Sequence, residues 1–528
     1  MQKFLAIYVI LIVLVLTIIG CDKPAPAPKL TPASAPVSTP TPAAVAPKPQ
    51  YGGILRMISI NSPLTIGYPP ELTVDYIWTQ PWMEGLLRKD MMGRPLPWLA
   101  TSWEIPSDGK SLTLGLRKGV KFHDGTDFNS QAVKYNLEIT KAARPELKLM
   151  NSIDIIDEYT LKLNLSTWNN ALLEMLMQTS GCMVSPTAIA KNGKEWARAN
   201  EVATGPFKVK SFQRDVSLKL ERFEDYWDKG KPYLDGFEYV FIVDPNTAEI
   251  FLLKGEAQAM HFTGVPPRVA SEIKEKGYEV FHTPAGGDFL TFDSVHSDSP
   301  FADKRVRQAV EYAIDKASLA KALGYGFSQA AYQMCYPGTM GYNSDLEGRI
   351  YNPEKARQLL KEAGYEKGFK TTLNAQNTIN QDALVALKRF LNEVGIDANL
   401  NRVEYAAYTN YIWEGWNGLL YGVGGAGSTY GLSTLFPASQ YPSRTRWHTL
   451  LRPAAWGDIL KQALAATDSE TQIALTKKLV RMMQDEAMTV PLWVTERVFI
   501  ADKSVHDAGF FTTGASEHWF PANTWLSK

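Results

Sequence analysis

Residues 84–139 decide the fold and read EGLLRKDMMGRPLPWLATSWEIPSDGKSLTLGLRKGVKFHDGTDFNSQAVKYNLEI. Leu112, Leu114 and Leu116 alternate with polar or small residues, which is the period of a half-buried strand. The Asp124-Gly125 pair predicts a tight turn, because glycine adopts a positive φ at little cost. Asn129 and Ser130 predict a helix start, since their side chains accept hydrogen bonds from free backbone N–H groups. The stretch therefore predicts short strands, tight turns and a capped helix, with no catalytic chemistry.

The order of these parts resembles the family-5 solute-binding proteins of bacterial ABC importers, the oligopeptide- and dipeptide-binding class. The shared pattern is EGL, a P-x-LA-x-SW turn, a DGK hairpin and LRKGVKFHDGT before a helix. Further segments resemble the family in the same order along the chain: residues 51–56, 153–161, 203–209, 300–315, 352–365 and 490–494. The resemblance implies an α/β, periplasmic-binding-protein-like fold with two hinged lobes and the extra lobe-two insertion of the family. It also implies a binding protein rather than an enzyme.

The resemblance divides the chain into a targeting region and three lobes. Lobe one is discontinuous, lobe two is a small insertion, and lobe three is the large ligand-closing domain. The expected boundaries are 1–20 for a signal peptide, 21–50 for a lipidated cysteine and tether, 51–84, 188–285 and 496–528 for lobe one, 85–187 for lobe two, and 286–495 for lobe three.

Composition excludes several classes of function. The 528 residues are 45% hydrophobic, enough to bury a core in more than one lobe. Acidic and basic residues balance at 55 each, so the net charge attracts neither nucleic acid nor an anionic membrane surface. The seven histidines show no HExxH spacing, so we expect neither a metal site nor a cofactor. No GxSxG motif is present, which disfavours the alternative of an extracytoplasmic hydrolase.

The N-terminal residues predict export and anchoring. One basic residue, Lys3, precedes an apolar run over residues 4–19, which is short for a bilayer span of about 20 residues. The run ends in Gly20-Cys21 and resembles a lipobox, in which Cys21 is lipidated and becomes the first residue. An uncleaved membrane helix is the alternative. We expect a protein held by lipid on the outer face of the cytoplasmic membrane, on a Pro- and Ala-rich tether over residues 24–49.

Local patterns also predict scaffold roles. Asp303, Asp315 and Asn352 are each placed to cap a helix. Tyr226 and Trp227 are interpreted as a packed aromatic corner. The resemblance places Cys182 and Cys335 in different lobes, where a disulfide would lock a fold that must open, so we expect two separate buried thiols.

The ligand-binding candidates follow from the resemblance and from residue chemistry. The loop over residues 61–71 faces the ligand in relatives and departs here from the family sequence. The strand that delivers an acid for a peptide ammonium in relatives corresponds to residues 416–431. The predicted ligand contacts are Asn61, Tyr68, Asp288, Phe289, Tyr405, Trp416, Tyr421, Gly424, Gly425, Gly427 and Tyr430.

No acidic residue lies between Glu414 and Asp458. A buried ammonium needs a charged partner, because an unpaired ion is costly to desolvate. The glycines instead permit close main-chain approach, and tyrosines flank them, which suits a neutral ligand such as an oligosaccharide. The glycines are otherwise a turn between strands; they are not a phosphate loop, since no Lys-Ser/Thr follows and no helix is signalled. The expected function is capture of a peptide-class or similar solute for an importer permease, with a neutral-solute or nickel-chelate receptor as alternatives.

Overall fold

The computed structural model describes residues 48–72, 79–90, 92–262, 265–439, 443–508 and 519–528. The predicted signal peptide, Cys21 and nearly all of the predicted tether lie outside the described residues. Pro49–Lys528 form one compact unit. Within the described ranges, no helix has both the length and the apolar character that a membrane crossing requires.

The described ranges contain nineteen strands: β1 (Ile54–Ser59), β2 (Leu87–Lys89), β3 (Pro95–Pro97), β4 (Ala100–Glu104), β5 (Ser111–Leu116), β6 (Met150–Asp157), β7 (Thr160–Leu165), β8 (Phe207–Gln213), β9 (Ser217–Arg222), β10 (Gly236–Phe241), β11 (Ala259–Phe262), β12 (Glu279–Phe292), β13 (Ser328–Ala330), β14 (Phe369–Gln376), β15 (Ile396–Val403), β16 (Leu419–Gly424), β17 (Thr489–Ala501), β18 (Val505–His506) and β19 (Trp525–Leu526). The α-helices of the same ranges are Ser130–Lys141, Ala171–Leu176, Pro186–Ala199, Pro245–Leu253, Pro267–Glu275, Lys304–Ala313, Lys316–Gly324, Pro353–Glu362, Gln381–Glu393, Tyr405–Glu414, Thr429–Leu435, Trp456–Ala465 and Ser469–Asp485.

Lobe two, in the division predicted above, forms from the fold-deciding stretch as expected. A four-stranded sheet has the order β4-β5-β7-β6. Leu112, Leu114 and Leu116 of β5 are buried in its core. Gly125 has a φ of +82°, so the turn requires a residue that tolerates this region. Asn129 accepts a hydrogen bond of 3.1 Å from Ala132 N at the start of helix Ser130–Lys141, which confirms the predicted cap.

The other predicted caps are also confirmed. The side chains of Asp303, Asp315 and Asn352 accept hydrogen bonds from backbone N–H groups in the first turns of their helices. Cys182 and Cys335 are buried free thiols, as predicted. These features depend on a few neighbouring residues or on burial alone, which is why the sequence signals them.

The aromatic corner closes around one buried acid, Glu84. Its carboxylate accepts hydrogen bonds from Tyr226 Oη at 2.7 Å, from Trp98 Nε1 at 2.9 Å and from Trp227 Nε1 at 3.0 Å. Burial raises the pKa of Glu84, while the hydrogen bonds oppose that shift. The prediction that Tyr226 and Trp227 pack as part of the scaffold is confirmed.

A single mixed sheet runs through the rest of the chain. Its eleven strands have the order β15-β14-β16-β12-β17-β11-β1-β10-β9-β8, with β13 paired on β17. The long strands β12 and β17 are antiparallel along their whole length. One end of this pair adjoins β11 in lobe one, and the other end adjoins β16 in lobe three. The pair β12–β17 therefore connects the two lobes.

Lobe three is buried on both faces of its part of the sheet. Leu290 lies in one apolar cluster together with Leu373. The preceding residue, Phe289, lies in a second cluster with Trp447. Neighbouring residues of a strand point to opposite faces, so helices cover the sheet on both sides here. Lobes one and two have their own clusters, around Trp82 and around Leu114.

Candidate functional site

The connection between the lobes is irregular where β12 leaves lobe one. The register of β12 with β17 shifts between Pro284 and Gly286 and again between Asp288 and Phe289. Such irregularities interrupt the ladder and bend a strand locally. The strand pair is therefore least regular at the point where the two lobes join, next to the end of β16.

Two buried acids lie at this junction: Glu496, which is opposite Pro284 and pairs with His282, and Asp288. Asp288 is 9% exposed and accepts hydrogen bonds from Tyr421 Oη at 2.7 Å and from Thr495 Oγ1 at 2.6 Å. Burial raises the pKa of Asp288, and side-chain hydrogen bonds from Thr495, Tyr421 and Trp493 partly offset the rise. A carboxylate has about four acceptor directions, so beside these three donors about one remains for a cation or an N–H donor.

Next to Asp288, residues on the same face of the sheet are exposed to solvent. Asp288 lies opposite Val423 in the antiparallel register, and residues opposite each other share a face. Val423 is 47% exposed, although it lies on a strand whose other central residues are buried. Thr495, which donates to Asp288 from the other side, is exposed as well. Asp288 is therefore a buried acid at the floor of an accessible surface.

A cation lies near the same junction, and the sequence reasoning did not select it. Tyr408 Oη donates a hydrogen bond of 2.7 Å to Tyr421 O, and both Arg446 and Asp288 act electrostatically on the Tyr408 phenol. Arg446 is half-buried, and its burial lowers the pKa of its guanidinium. Among the described residues, no carboxylate lies within ion-pair distance of Arg446. The available signal was the excess of arginines in the acid-free stretch, at positions 444, 446 and 452.

The glycine-rich segment has a packing role that the sequence did not predict. A Cβ on Gly424 would lie 2.8 Å from Leu435 Cδ2, and a Cβ on Gly427 would lie 3.0 Å from Thr339 Cγ2. The segment leads into helix Thr429–Leu435, capped by Ser428, so the interpretation as a turn between strands and the absence of a helix signal were wrong. The physical reason is that a seven-residue helix has too short a periodic pattern to be recognised in sequence. Gly425, the middle glycine of this segment, is exposed to solvent.

The remaining candidates of lobe three lie in different surroundings. Phe289 is fully buried against Phe436 and Trp447. Tyr405 is 68% exposed at the start of helix Tyr405–Glu414. Trp416 precedes β16 and lines a polar cavity of about 500 Å³, so it lies at the end of β16 opposite Gly424. Contact of these side chains with a ligand stays a prediction.

The two candidates on lobe one share a loop with fixed ends. Asn61 is exposed and Tyr68 is half-buried against the core of lobe one. Trp82 Nε1 donates 2.8 Å to Ile66 O in the middle of the loop. At its end, Arg198 Nε donates 2.7 Å to Glu71 Oε2, and a second guanidinium nitrogen bonds the other carboxylate oxygen. These hydrogen bonds therefore fix the position of the loop on the surface of lobe one.

Tyr430 lies between lobes. It follows the glycine-rich segment on helix Thr429–Leu435, and it packs against the core of lobe two. Its hydroxyl lies 3.8 Å from the sulfur of Met175 in lobe two. The structure thus brings Asp288, Tyr421 and the exposed end of β16 together, and it places Trp416, Tyr405 and Tyr430 around them at a distance.

No group of three or more His, Cys, Asp or Glu side chains suited to a metal ion occurs in the ranges that the structure describes. The junction offers the carboxylate of Asp288, the guanidinium of Arg446, hydroxyl groups and an exposed strand end, all of which can interact with an organic solute.

Comparison with known proteins agrees with this architecture. Residues 94–445 match the family model of the bacterial extracellular solute-binding proteins, family 5 Middle. The glutathione-binding protein GsiB of Shigella flexneri is 31% identical over 429 residues, which span 77% of this chain and 82% of that protein.

Two solved structures share the fold over nearly the whole chain. DppA of Helicobacter pylori, a periplasmic binding protein in complex with the peptide STSA, has a TM-score of 0.71 and 25% identity, and the match covers 91% of this chain and 99% of DppA. AgaA of A. tumefaciens R10, in complex with agropinic acid, has a TM-score of 0.69 and 27% identity, covering 90% and 99%. The predicted two-lobe, periplasmic-binding-protein-like α/β fold is confirmed. The chain belongs to the family-5 bacterial extracellular solute-binding proteins and is the substrate-binding component of an ABC importer, not an enzyme.

Proposed function

We propose that this binding protein captures a peptide-class solute at the junction of β12, β16 and β17 and delivers it to the importer permease. The observation that carries the proposal is the buried carboxylate of Asp288 beneath an accessible sheet face. An α-ammonium group is the ligand that such an acid favours, because it supplies charge and N–H donors together. Asp288 thus provides the acid that residues 415–457 lack.

The second charge of the site extends the proposal to the other end of a peptide. Arg446 is a half-buried guanidinium on the same lobe, and a ligand carboxylate is the partner for which its planar donor geometry is best suited. The ligands named for GsiB and DppA, glutathione and the peptide STSA, each carry an amine and at least one carboxylate. Two opposite charges on this chain support a ligand of the same class.

Capture follows from a shift in population between open and closed arrangements. The ligand binds at the junction between lobes one and three, and it favours the closed arrangement by its differential affinity for the two. The irregular register of β12 near Asp288 provides the local bend on which such a motion depends. We also propose the lobe boundaries given above, with lobe three beginning at residue 286.

A neutral solute is the competing candidate, and one observation favours it. Gly425 is exposed, and no acid lies between Glu414 and Asp458. This surface offers main-chain groups and small side chains, which suit the hydroxyl groups of an oligosaccharide.

Calorimetric titration of the full chain decides between these candidates. The panel contains glutathione, a free tetrapeptide, its N-acetylated and C-amidated forms, and a linear oligosaccharide. We expect binding of a free peptide that is lost on N-acetylation and weakened on C-amidation. Binding of the oligosaccharide, or equal binding of free and acetylated peptide, would overturn the proposal. Native mass spectrometry of solute that co-purifies with the protein identifies the member of the class.

We further propose that Cys21 carries the lipid and that residues 24–49 form the tether. An apolar run after Lys3 and the Gly20-Cys21 pair support this proposal. Two or more acyl chains on one residue anchor a protein stably. At about 3.1 Å per residue the tether reaches roughly 80 Å when extended. Replacement of Cys21 by Ser is expected to release the protein from the membrane fraction; retention there would instead support an uncleaved helix.

A further inference from the structure

Three hydrogen bonds join lobe two to lobe three, and none of them involves Asp288. Trp168 Nε1 donates 2.9 Å to Ala466 O. Asn170 donates twice, from its backbone N to Leu464 O at 2.8 Å and from Nδ2 to Ala463 O at 2.6 Å. All three acceptors lie at the C-terminal end of helix Trp456–Ala465. The last carbonyls of a helix have no partner within it, so lobe two satisfies them from outside.

The donors are buried, and Trp168 packs on lobe two. Trp168 and Asn170 are 6% and 7% exposed. Trp168 packs against the turn of the DGK hairpin, where a Cβ on Gly109 would lie 2.8 Å from Trp168 Cβ. Gly109 has a φ of +62°, a conformation that glycine adopts readily. The fold-deciding stretch thus positions the indole that reaches lobe three.

The contact between the lobes is releasable. Beside it lies a cavity of about 320 Å³ lined by both lobes, with Leu96 and Trp103 on the lobe-two side and Asp468 and Gln472 on the lobe-three side. The joined groups are amides, an indole N–H and carbonyls, all of which water can satisfy after separation. A polar contact next to a cavity costs far less to part than a continuous apolar core.

The same interface is coupled to the glycine-rich segment. Tyr430 packs against the core of lobe two with its hydroxyl 3.8 Å from Met175 Sδ. Tyr430 follows Gly427 closely along the chain, on helix Thr429–Leu435. A displacement of lobe three from lobe two must therefore move the segment that borders the proposed ligand site.

We infer that Trp168 and Asn170 form a latch that sets solute affinity from outside the binding site. The latch stabilises the arrangement in which lobe three lies against lobe two, with or without ligand. The apparent dissociation constant of a solute is its intrinsic constant divided by the fraction of protein in the binding-competent arrangement. Loss of the latch lowers that fraction and weakens capture of any solute, so the inference does not depend on the solute class proposed above.

Hydrogen exchange on the ligand-free full chain tests the latch directly. The variant Trp168→Phe/Asn170→Ala keeps an aromatic ring and a small side chain but removes both side-chain donors. Peptides covering residues 168–176 and 456–466 are expected to exchange roughly ten times faster than in the parent protein. Small-angle scattering of the same sample is expected to give a larger radius of gyration.

The matched control is Asn164→Ala, which removes an asparagine whose bonds to Ser152 and Asp154 stay within lobe two. Faster exchange confined to the two interface peptides in the latch variant supports the inference. Unchanged exchange at these peptides overturns it. So does an equal acceleration over β5 and β7, because that result assigns Trp168 and Asn170 to the stability of lobe two alone.

Discussion

Tyr421 on β16 donates a hydrogen bond of 2.7 Å to Asp288 on β12, a residue 133 positions earlier in the chain. The donor hydroxyl is buried with its ring, so this bond fixes the carboxylate relative to the end of β16. In the proposed site, the neighbouring strand supplies the acid that residues 415–457 lack. Only strand pairing brings these two residues together, and pairing at such a separation leaves no local signal in sequence.

Replacement of Asp288 by Asn is expected to weaken binding of an amine-bearing solute and to raise the melting temperature of the ligand-free protein. Burial raises the pKa of Asp288, so at neutral pH the folded protein holds a charge that is costlier there than in the unfolded chain. The amide removes this cost, and the expected gain is about 1–2 °C. Affinity is expected to fall roughly tenfold or more. Calorimetry on the same samples measures both changes.

Asp293→Asn is the matched control for this experiment. Asp293 directly follows the last residue of β12, is also buried, and also has a pKa raised by burial, with His296 as its partner. Its replacement should leave solute affinity unchanged. Equal loss of affinity in both variants would mean that the charge of Asp288 has no specific role in binding.

Asn129→Ala is expected to destabilise lobe two by about 1 kcal/mol, because Ala cannot accept the hydrogen bond from Ala132 N. Asn129→Ser, which retains an acceptor, should restore most of the loss. Urea denaturation followed by tryptophan fluorescence measures the change. The same loss in both variants would assign the effect to other contacts of the asparagine.

Sequence alone predicted the features that depend on near neighbours. The alternation in β5, the turn at Gly125 and the caps at Asn129 and Asn352 each involve a few consecutive residues, and each formed as predicted. The two-lobe fold was predicted from the family resemblance, which rests on the order and spacing of many such local features.

The candidate site was harder to predict because its parts meet through tertiary structure. Tyr421 and Asp288 were selected, but as separate residues, and the bond between them was not foreseen. Arg446 was missed, since its significance depends on its position near Tyr408. Gly424 was selected as a ligand contact, which stays a prediction, and its packing against Leu435 was not foreseen.

The His123–Glu201 pair is expected to make stability fall as the pH rises. Nδ1 of His123 lies 2.7 Å from Glu201 Oε1, and both side chains are buried. Burial opposes the charged imidazole, but the Glu201 carboxylate and the carbonyl of Gly205 raise the pKa of His123 above its usual 6.5. Its contribution to stability is therefore complete below about pH 6.5 and is lost as the pH rises through the higher folded-state pKa.

Melting temperatures of the parent protein and His123→Gln, measured from pH 5.5 to about pH 9, test this expectation. The difference between the two proteins should be largest at the acid end and should shrink as the pH rises. His282 also has a raised pKa beside Glu496 and is present in both proteins, so the comparison removes its contribution. A difference that is constant with pH would mean that His123 acts only by packing.

Gly424→Ala is expected to cost about 1–3 kcal/mol, because the new methyl would overlap Leu435. The Cβ would lie 2.8 Å from Leu435 Cδ2 and 3.3 Å from Cδ1. Leu435 is itself buried, so it cannot turn away freely. Gly424 does not have a positive φ, so the backbone accepts alanine and the cost comes from packing.

In a Leu435→Ala background, Gly424→Ala no longer causes the overlap, because the leucine side chain is absent. The change at residue 424 is expected to be neutral or slightly stabilising there, because alanine restricts the unfolded chain more than glycine does. A double-mutant cycle from urea denaturation measures the coupling between the two positions, which should exceed about 1 kcal/mol. Equal costs in both backgrounds would remove Leu435 as the cause. A strong coupling would mean that a side chain at residue 424 requires repacking of helix Thr429–Leu435, so the glycine is needed there for packing.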